Sequence, residues 1–224
     1  KKAIKLDPKH VKAHAALGLL YYRTKQFAEA KQEIDLAIRL SPDTYSTYYY
    51  LGKIYKENKN FPAAVNAFEK SLRDPQFKQK SLIERGNCFM AVHSVDKAIN
   101  EYDRAVKATT NESSQETLYA RYFLACCYEK IRNIDLALHQ WEKIYQQNHS
   151  FRDVATKLAE YKDLQANDNM KEYLTSNTDG FLEICKKIAL SGFNLTIRDI
   201  EAVKHGCKCI ATEAKNENWM SVRQ

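Results

Sequence analysis

Residues 10–42, HVKAHAALGLLYYRTKQFAEAKQEIDLAIRLSP, carry a pattern whose key positions return along the chain at a fixed step. Leu17-Gly18 returns 34 residues later as Leu51-Gly52, and Gly86 follows Gly52 by the same interval. Three further sets of positions keep this step: Tyr21, Tyr55 and Phe89; Ala30, Ala64 and Ala98; Ile34, Phe68 and Tyr102. After the extra segment Ser113–Thr117 the pattern resumes with Leu124-Ala125, Tyr128, Ala137 and Trp141. A period of this size predicts a repeat array in which each unit stacks on its neighbours.

These positions resemble the tetratricopeptide repeat (TPR) family, whose pattern is W-x2-L-G-x2-Y, then A-x3-F, then P, over about 34 residues. The resemblance places full repeats at 11–44, 45–78, 79–112 and 118–151, with residues 1–10 as the tail of a preceding repeat. It implies a mainly α fold, a right-handed TPR α-solenoid of helix-turn-helix repeats. The sequence departs from the family where His14 and Arg121 replace the first aromatic residue and Arg85 replaces the leucine of the third repeat.

The physical pattern of each repeat agrees with this assignment. Apolar residues recur at steps of three and four, which predicts two amphipathic helices per repeat. Gly18, Gly52 and Gly86 are expected where two helices approach closely, with Ala30, Ala64 and Ala98 as the small residues that face them. One repeat cannot bury both of its faces, so neighbouring repeats must stack and leave a concave groove.

The chain changes character after the repeats. Residues 152–166 keep a helical period and predict a capping helix, and Asn167-Asp168-Asn169 predicts a linker. Within a C-terminal segment, 167–224, the pattern predicts a helix Phe181–Leu190 closed by Ser191-Gly192, and strands at Phe193–Ile197 and Lys208–Ala214. This small, truncated α/β appendage cannot bury a core alone. Either it packs on the solenoid or the natural protein continues past Gln224.

This appendage is similar to the start of restriction-endonuclease-like domains, in which strands carry an acidic residue and then Glu-x-Lys. Glu213-Ala214-Lys215 matches the second element, but Lys208 stands where the first carboxylate is expected. Such enzymes hold Mg²⁺ with clustered carboxylates, and a lysine would repel the ion. The similarity implies a nucleic-acid-binding or nuclease-like protein, with an inactive site, as the alternative to a TPR scaffold.

Composition excludes several other classes. No apolar run reaches the roughly 18–20 residues that a membrane helix needs. The chain has 35 Lys and Arg residues and 28 Asp and Glu residues. The resulting net charge of +7 favours acidic partners. The lysines are spread among glutamates along the helices, so they do not form the concentrated basic stripe that nucleic-acid binding would favour. Cys207 and Cys209 could begin a zinc site, but the sequence has no second pair of ligands at the spacing that such a site needs. The sequence also has no phosphate-binding loop and no nucleophile elbow. We therefore expect no enzyme, metal or cofactor, and a reducing compartment, the cytoplasm.

The resemblance also implies a binding surface, because the inner wall of TPR-like solenoids comes from positions 2, 5, 9 and 12 of each first helix. The groove residues implied here are Lys12, Tyr22, Tyr49, Lys53, Lys56, Lys80, Ile83, Asn87, Tyr119, Tyr122 and Glu129. Tyrosines interleaved with lysines suit a protein or peptide with apolar anchors and acidic flanks. Self-association through the open solenoid ends is a further expectation.

Overall fold

The computed structural model describes Ile4 and residues 6–165, 176–203 and 206–213. The linker expected at 167–169 and the Ala214-Lys215 part of the Glu-x-Lys element lie outside these residues. No helix within the described ranges is both long enough and apolar enough to cross a membrane.

Helices dominate the fold and follow one another as antiparallel hairpins. The four helical hairpins are α1 (Val11–Arg23) with α2 (Phe27–Leu40), α3 (Tyr45–Glu57) with α4 (Phe61–Ser71), α5 (Pro75–Ala91) with α6 (Val95–Lys107), and α7 (Gln115–Lys130) with α8 (Ile134–Gln147). Each second helix also packs on the first helix of the next hairpin, and α8 packs on α9 (Val154–Gln165). The architecture is therefore the helical TPR solenoid that the sequence predicts, with one further helix at its end.

Each hairpin closes through the same turn, in which one residue adopts the left-handed backbone conformation. These residues are Lys25, Lys59, His93 and Arg132, with φ angles between 57° and 61°. In the second hairpin the Lys59 N–H donates to the Lys56 carbonyl and the Asn60 N–H donates to the Tyr55 carbonyl, both at 2.9 Å. This pair of bonds is the Schellman motif, which satisfies carbonyls at the end of a helix. The same pair recurs in the other three turns.

The repeated glycines make room for a large side chain on the second helix of the same hairpin. A Cβ atom added to Gly52 would lie 2.6 Å from Phe68 Cε1, and one added to Gly86 would lie 2.4 Å from Tyr102 Cε1. As the sequence predicts, an alanine faces Gly18, since a Cβ added there would lie 3.2 Å from the Ala30 carbonyl oxygen. At all three glycines the nearest atoms belong to the large residue four positions beyond the alanine. In the fourth hairpin Ala125 takes the glycine position, and it shares a fully buried cluster with Trp141.

His14 and Arg121, which depart from the family pattern, form hydrogen bonds with nearby polar groups. His14 Nδ1 lies 2.6 Å from Glu33 Oε2, and His14 Nε2 lies 2.9 Å from the Pro8 carbonyl oxygen. Arg121 donates to Glu112 Oε2 at 2.6 Å and to Gln140 Oε1 at 2.8 Å. A buried polar side chain is tolerated when hydrogen bonds satisfy it, so these substitutions preserve the helical packing.

Arg85, which stands at the leucine position of the third repeat, is held between two carboxylates. Its guanidinium pairs with Glu69 on α4 and lies 3.3 Å from Glu101 on α6. The Arg85 side chain is only 11% exposed, and the two carboxylates replace water at its terminal nitrogens, whereas its Nε atom is buried without a hydrogen-bond partner.

The C-terminal appendage is a helix followed by a β-hairpin. Helix α10 (Thr178–Phe193) contacts β1 (Leu195–Val203), which pairs antiparallel with β2 (Gly206–Glu213). The helix does not end at Ser191-Gly192, contrary to the expectation from the sequence. It continues to Phe193 and ends at Asn194, whose φ of 54° places it in the left-handed region. Asparagine tolerates that conformation, so it terminates the helix without a glycine.

Candidate peptide-binding groove

The first helices of the hairpins form one continuous layer. α1 contacts α3, α3 contacts α5, and α5 contacts α7. Within the part of the chain that the structure describes, the second helices of neighbouring hairpins touch each other little or not at all. The first helices are therefore the more closely spaced layer, and the ribbon curves towards them. We call the exposed face of this layer the inner wall.

The N-terminal part of the inner wall holds Lys12 and Tyr22, both on α1. Lys12 is exposed, whereas Tyr22 is half-buried with its ring centroid 5.8 Å from that of Phe27. Burial raises the pKa of the Tyr22 phenol, and the nearby carboxylates of Glu57 and Glu84 raise it further. Tyr22 therefore presents a neutral ring and a hydroxyl to the groove.

Tyr49 on α3 lies in a cluster of aromatic rings. Its ring centroid is 5.0 Å from that of Phe77, 5.5 Å from that of Tyr50 and 5.8 Å from that of Phe68. Burial raises the pKa of Tyr49 well above its ordinary value. These contacts give Tyr49 a packing role as well as a place on the inner wall.

Lys53 and Lys56 on α3 both bind one carboxylate that the sequence pattern did not single out. Lys53 Nζ lies 2.7 Å from Glu84 Oε1, and Lys56 Nζ lies 2.5 Å from Glu84 Oε2. Burial alone would raise the pKa of Glu84, but Lys56 and Lys53 lower it below its ordinary value of 4.5. Two cations share one anion, which leaves one positive charge in excess at the centre of the groove.

Asn87 and Ile83 on α5 are turned towards the protein itself. The Asn87 side chain accepts a hydrogen bond from the Tyr102 hydroxyl at 2.8 Å and donates to Glu84 at 3.3 Å. Ile83 is 8% exposed and belongs to a core cluster with Leu82. The structure thus places Ile83 in the core, while Asn87 positions the central carboxylate.

Lys80 on α5 is the most open of the predicted groove cations that form an ion pair. Its Nζ lies 3.3 Å from Glu116 Oε1 on α7, and the two side chains are 47% and 37% exposed. An exposed pair of this kind stabilises the fold by at most about 1 kcal/mol. Lys80 can therefore exchange Glu116 for a ligand carboxylate at little cost.

Tyr119 and Tyr122 on α7 form an aromatic surface with Phe151, next to Phe123. The ring centroid of Phe151 is 5.3 Å from that of Tyr119 and 6.2 Å from that of Tyr122. The Tyr122 hydroxyl donates to Asp153 Oδ1 at 2.9 Å. Burial and this hydrogen bond raise the pKa of Tyr122 to about 12.

Arg152 covers this aromatic surface and was not predicted from the sequence. Its Cζ atom is 4.7 Å from the ring centroid of Tyr122, 4.9 Å from that of Tyr119 and 5.7 Å from that of Phe123. Arg152 lies in the turn before α9, outside the helical positions from which groove residues were inferred. The sequence offered one indication of Arg152: it is a basic residue next to Phe151 and close to the start of a predicted helix.

Glu129 on α7 binds two residues of α9. Its Oε1 atom accepts from Lys157 Nζ at 2.7 Å and from the Tyr161 hydroxyl at 2.7 Å. The Tyr161 ring in turn stacks on Trp141, with centroids 5.5 Å apart and an angle of 22° between the planes. Glu129 therefore ties α9 to the first-helix layer rather than standing free in the groove.

Potential metal ligands are not clustered among the described side chains. No group of three His, Cys, Asp or Glu side chains in the described part of the chain could hold a metal ion. In the hairpin, Lys208 is paired opposite Glu201. Nothing in the comparisons below supports the similarity to restriction-endonuclease-like domains that was drawn from the sequence.

Comparison with known proteins gives the family to which this architecture is similar. Tetratricopeptide repeat sequence models match residues 11–44 and 45–73. No curated protein sequence matches the chain significantly.

Solved structures match over most of the chain at low identity. YrrB, described as a TPR protein with an unusual peptide-binding site, has a TM-score of 0.61 at 20% identity, covering 82% of this chain and 90% of that one. MamA has a TM-score of 0.60 at 20% identity, covering 66% and 84%. TTC0263, a thermophilic TPR protein from Thermus thermophilus, has a TM-score of 0.54 at 19% identity, covering 71% and 84%. At these identities the likeness concerns the fold. Residues 11–73 are therefore similar to tetratricopeptide repeats, and the fold of the chain is similar to that of TPR proteins.

Proposed function

We propose that this protein binds an extended peptide segment of a partner protein along its inner wall. The observation that carries the proposal is the series of half-buried tyrosines, Tyr22, Tyr49, Tyr119 and Tyr122, on helices of one layer. Tyrosine offers a large contact area with few rotatable bonds, so it binds peptides at a low cost in side-chain entropy. The peptide-binding site named for YrrB, which has a similar fold, is consistent with this use of the groove.

The charges between these rings favour a peptide that combines apolar anchors with acidic flanks. Lys53 and Lys56 share Glu84, so the centre of the groove keeps an excess positive charge. Lys80 is half-exposed and its pairing with Glu116 is loose at 3.3 Å. Acidic residues of a ligand would be steered to these lysines, while apolar residues would cover the rings.

A selection of random twelve-residue peptides displayed on phage, with the whole protein as target, tests this proposal. We expect selected peptides to lose about tenfold or more in affinity for Tyr122→Ala, since an interface tyrosine commonly contributes at least about 1–2 kcal/mol. Tyr145→Ala is the matched control, because Tyr145 lies on the second helix α8 and is 38% exposed. Circular dichroism of both variants separates lost binding from lost folding.

A second pair of variants keeps the test valid should Tyr122→Ala unfold. Lys80→Glu reverses a charge on the inner wall, and Lys78→Glu reverses one at another exposed position of the same helix. We expect only Lys80→Glu to weaken binding of acidic peptides. Equal effects at the inner and control positions, or selected peptides that ignore all four variants, would refute groove binding.

A further inference from the structure

The turn before α9 holds a cation, Arg152, whose surroundings differ from those of the groove lysines that form ion pairs. Lys53, Lys56, Lys80 and Lys157 each pair with a carboxylate. Arg152 is exposed, and within the described residues it lies over aromatic rings and forms no ion pair. The acidic residue next to it in the chain, Asp153, accepts a hydrogen bond from Tyr122 instead.

The backbone at Arg152 lies between two buried residues. Arg152 has a φ of 48°, in the left-handed region, and it stands between Phe151, which is 8% exposed, and the turn that leads to Val154, which is fully buried. The Arg152 Cζ atom lies 4.9 Å from the ring centroid of Tyr119 and 4.7 Å from that of Tyr122. The Tyr122 hydroxyl also donates to Asp153, which fixes the orientation of that phenol.

A guanidinium that lies over ring faces still has N–H groups at its edge. Arginine presents several donors in a planar fork that matches the two oxygens of a carboxylate. The rings beneath hold the cation through their negative faces and remove it partly from water, which strengthens a hydrogen bond to an anion. The same rings offer an apolar surface next to the charge.

We propose that Arg152 binds an acidic side chain of the peptide, next to an apolar side chain that packs on Tyr119. This proposal rests on the proposed function and adds which ligand residue lies at the α7–α9 end of the groove. Asp153, one residue away, would oppose a doubly charged group more than a single carboxylate, so an aspartate or glutamate side chain fits better than a phosphoryl group.

The peptide selection described above tests the subsite when it is repeated with Arg152→Gln. We expect the wild-type protein to select peptides with an Asp or Glu at a fixed distance from a large apolar residue. Arg152→Gln should lose that acidic preference, with about tenfold weaker binding of the wild-type peptides, and should keep the apolar preference. Arg152→Lys, which retains the charge without the planar fork, should fall between the two.

Lys97→Gln is the matched control, because Lys97 Nζ also lies over a ring, 5.9 Å from the centroid of Phe89, but on the second helix α6. It removes the same net charge and should leave peptide preference unchanged. Survival of the acidic residue at its fixed distance from the apolar residue in Arg152→Gln would overturn this subsite while leaving groove binding intact. Peptides that bind independently of Tyr122 and Lys80 would instead overturn the proposed function.

Discussion

Substitution of Gly86 by alanine probes the close approach of α5 and α6, where an added Cβ would meet the Tyr102 ring. The new Cβ would lie 2.4 Å from Tyr102 Cε1 and 2.7 Å from both Cδ1 and Cζ, distances at which the ring must move. Tyr102 is 1% exposed, its hydroxyl donates to Asn87 at 2.8 Å, and its ring stacks on Phe123 with centroids 5.6 Å apart. The ring therefore cannot shift without the loss of these contacts.

The magnitude follows from three opposing effects. Alanine gains about 1 kcal/mol over glycine through helix propensity. Overpacking of a core costs about 1–3 kcal/mol, and the displaced Tyr102 hydroxyl loses a hydrogen bond worth about 1 kcal/mol. We therefore expect Gly86→Ala to lower the free energy of unfolding by about 1–3 kcal/mol, measured by urea denaturation with circular dichroism.

The matched control is Gly192→Ala, also within a helix, where a Cβ would meet no atom within 4 Å. It should not lower the unfolding midpoint. A second variant, Gly86→Ala combined with Tyr102→Leu, should cost less than the sum of the two single changes, because the smaller side chain relieves the clash. Should Gly86→Ala stabilise the protein by the full helix-propensity gain, the close approach of α5 and α6 would be disproved.

Three further predictions concern single side chains. Lys59→Gly should raise the free energy of unfolding by about 0.5–1 kcal/mol, because glycine adopts a φ of 57° without strain; an unchanged or lower urea midpoint would contradict the turn geometry. Glu84→Gln should lower stability by about 1–3 kcal/mol at neutral pH, since its two lysine partners lose their carboxylate. Because the folded pKa of Glu84 is lowered, this difference should be present above about pH 4.5 and disappear as the pH falls through the folded value; a difference independent of pH would count against the ion pairs. The hydrogen bond to Glu33 raises the pKa of His14 above its ordinary value of 6.5. The stabilisation from protonated His14 is therefore complete below about pH 6.5 and is lost as the pH rises through the raised pKa. The free energies of unfolding of the wild-type protein and His14→Asn, measured by urea titration at about pH 5 and about pH 9, should therefore converge at the higher pH.

The repeat architecture could be predicted from the sequence because its determinants recur at one interval. Gly18, Gly52 and Gly86 lie at matched positions on first helices, and Ala125 follows the same register. A periodic signal of this kind depends on local spacing, which a single sequence displays in full. The extra segment Ser113–Thr117 includes the cap of the next helix, since the Ser114 hydroxyl accepts from the Thr117 N–H at the start of α7.

The details that the sequence could not supply depend on contacts between different helices. Glu84 binds lysines that lie 28 and 31 residues earlier, and its role appears only when α3 and α5 are side by side. Arg85 looks unfavourable at a leucine position until Glu69 and Glu101 are placed around it. Arg152 lies in a turn, where positions numbered along helices do not apply.

The C-terminal appendage was predicted in outline and misjudged at its boundaries. Ser191-Gly192 resembles a helix stop, but helix α10 passes through it and ends at Asn194. Strand β1 runs to Val203, well beyond the expected Ile197, because β2 pairs with it along that length. Pairing between strands, and not the residues of β1 alone, sets its extent.

The most direct test of peptide binding on the inner wall is an NMR titration that observes the ring protons of individual tyrosines while a selected peptide is added. Our account predicts shifts for Tyr22, Tyr119 and Tyr122 on the first helices, with Tyr145 on α8 unchanged. Shifts confined to Tyr145 and its neighbours on the second helices, with the inner-wall rings unmoved, would contradict it.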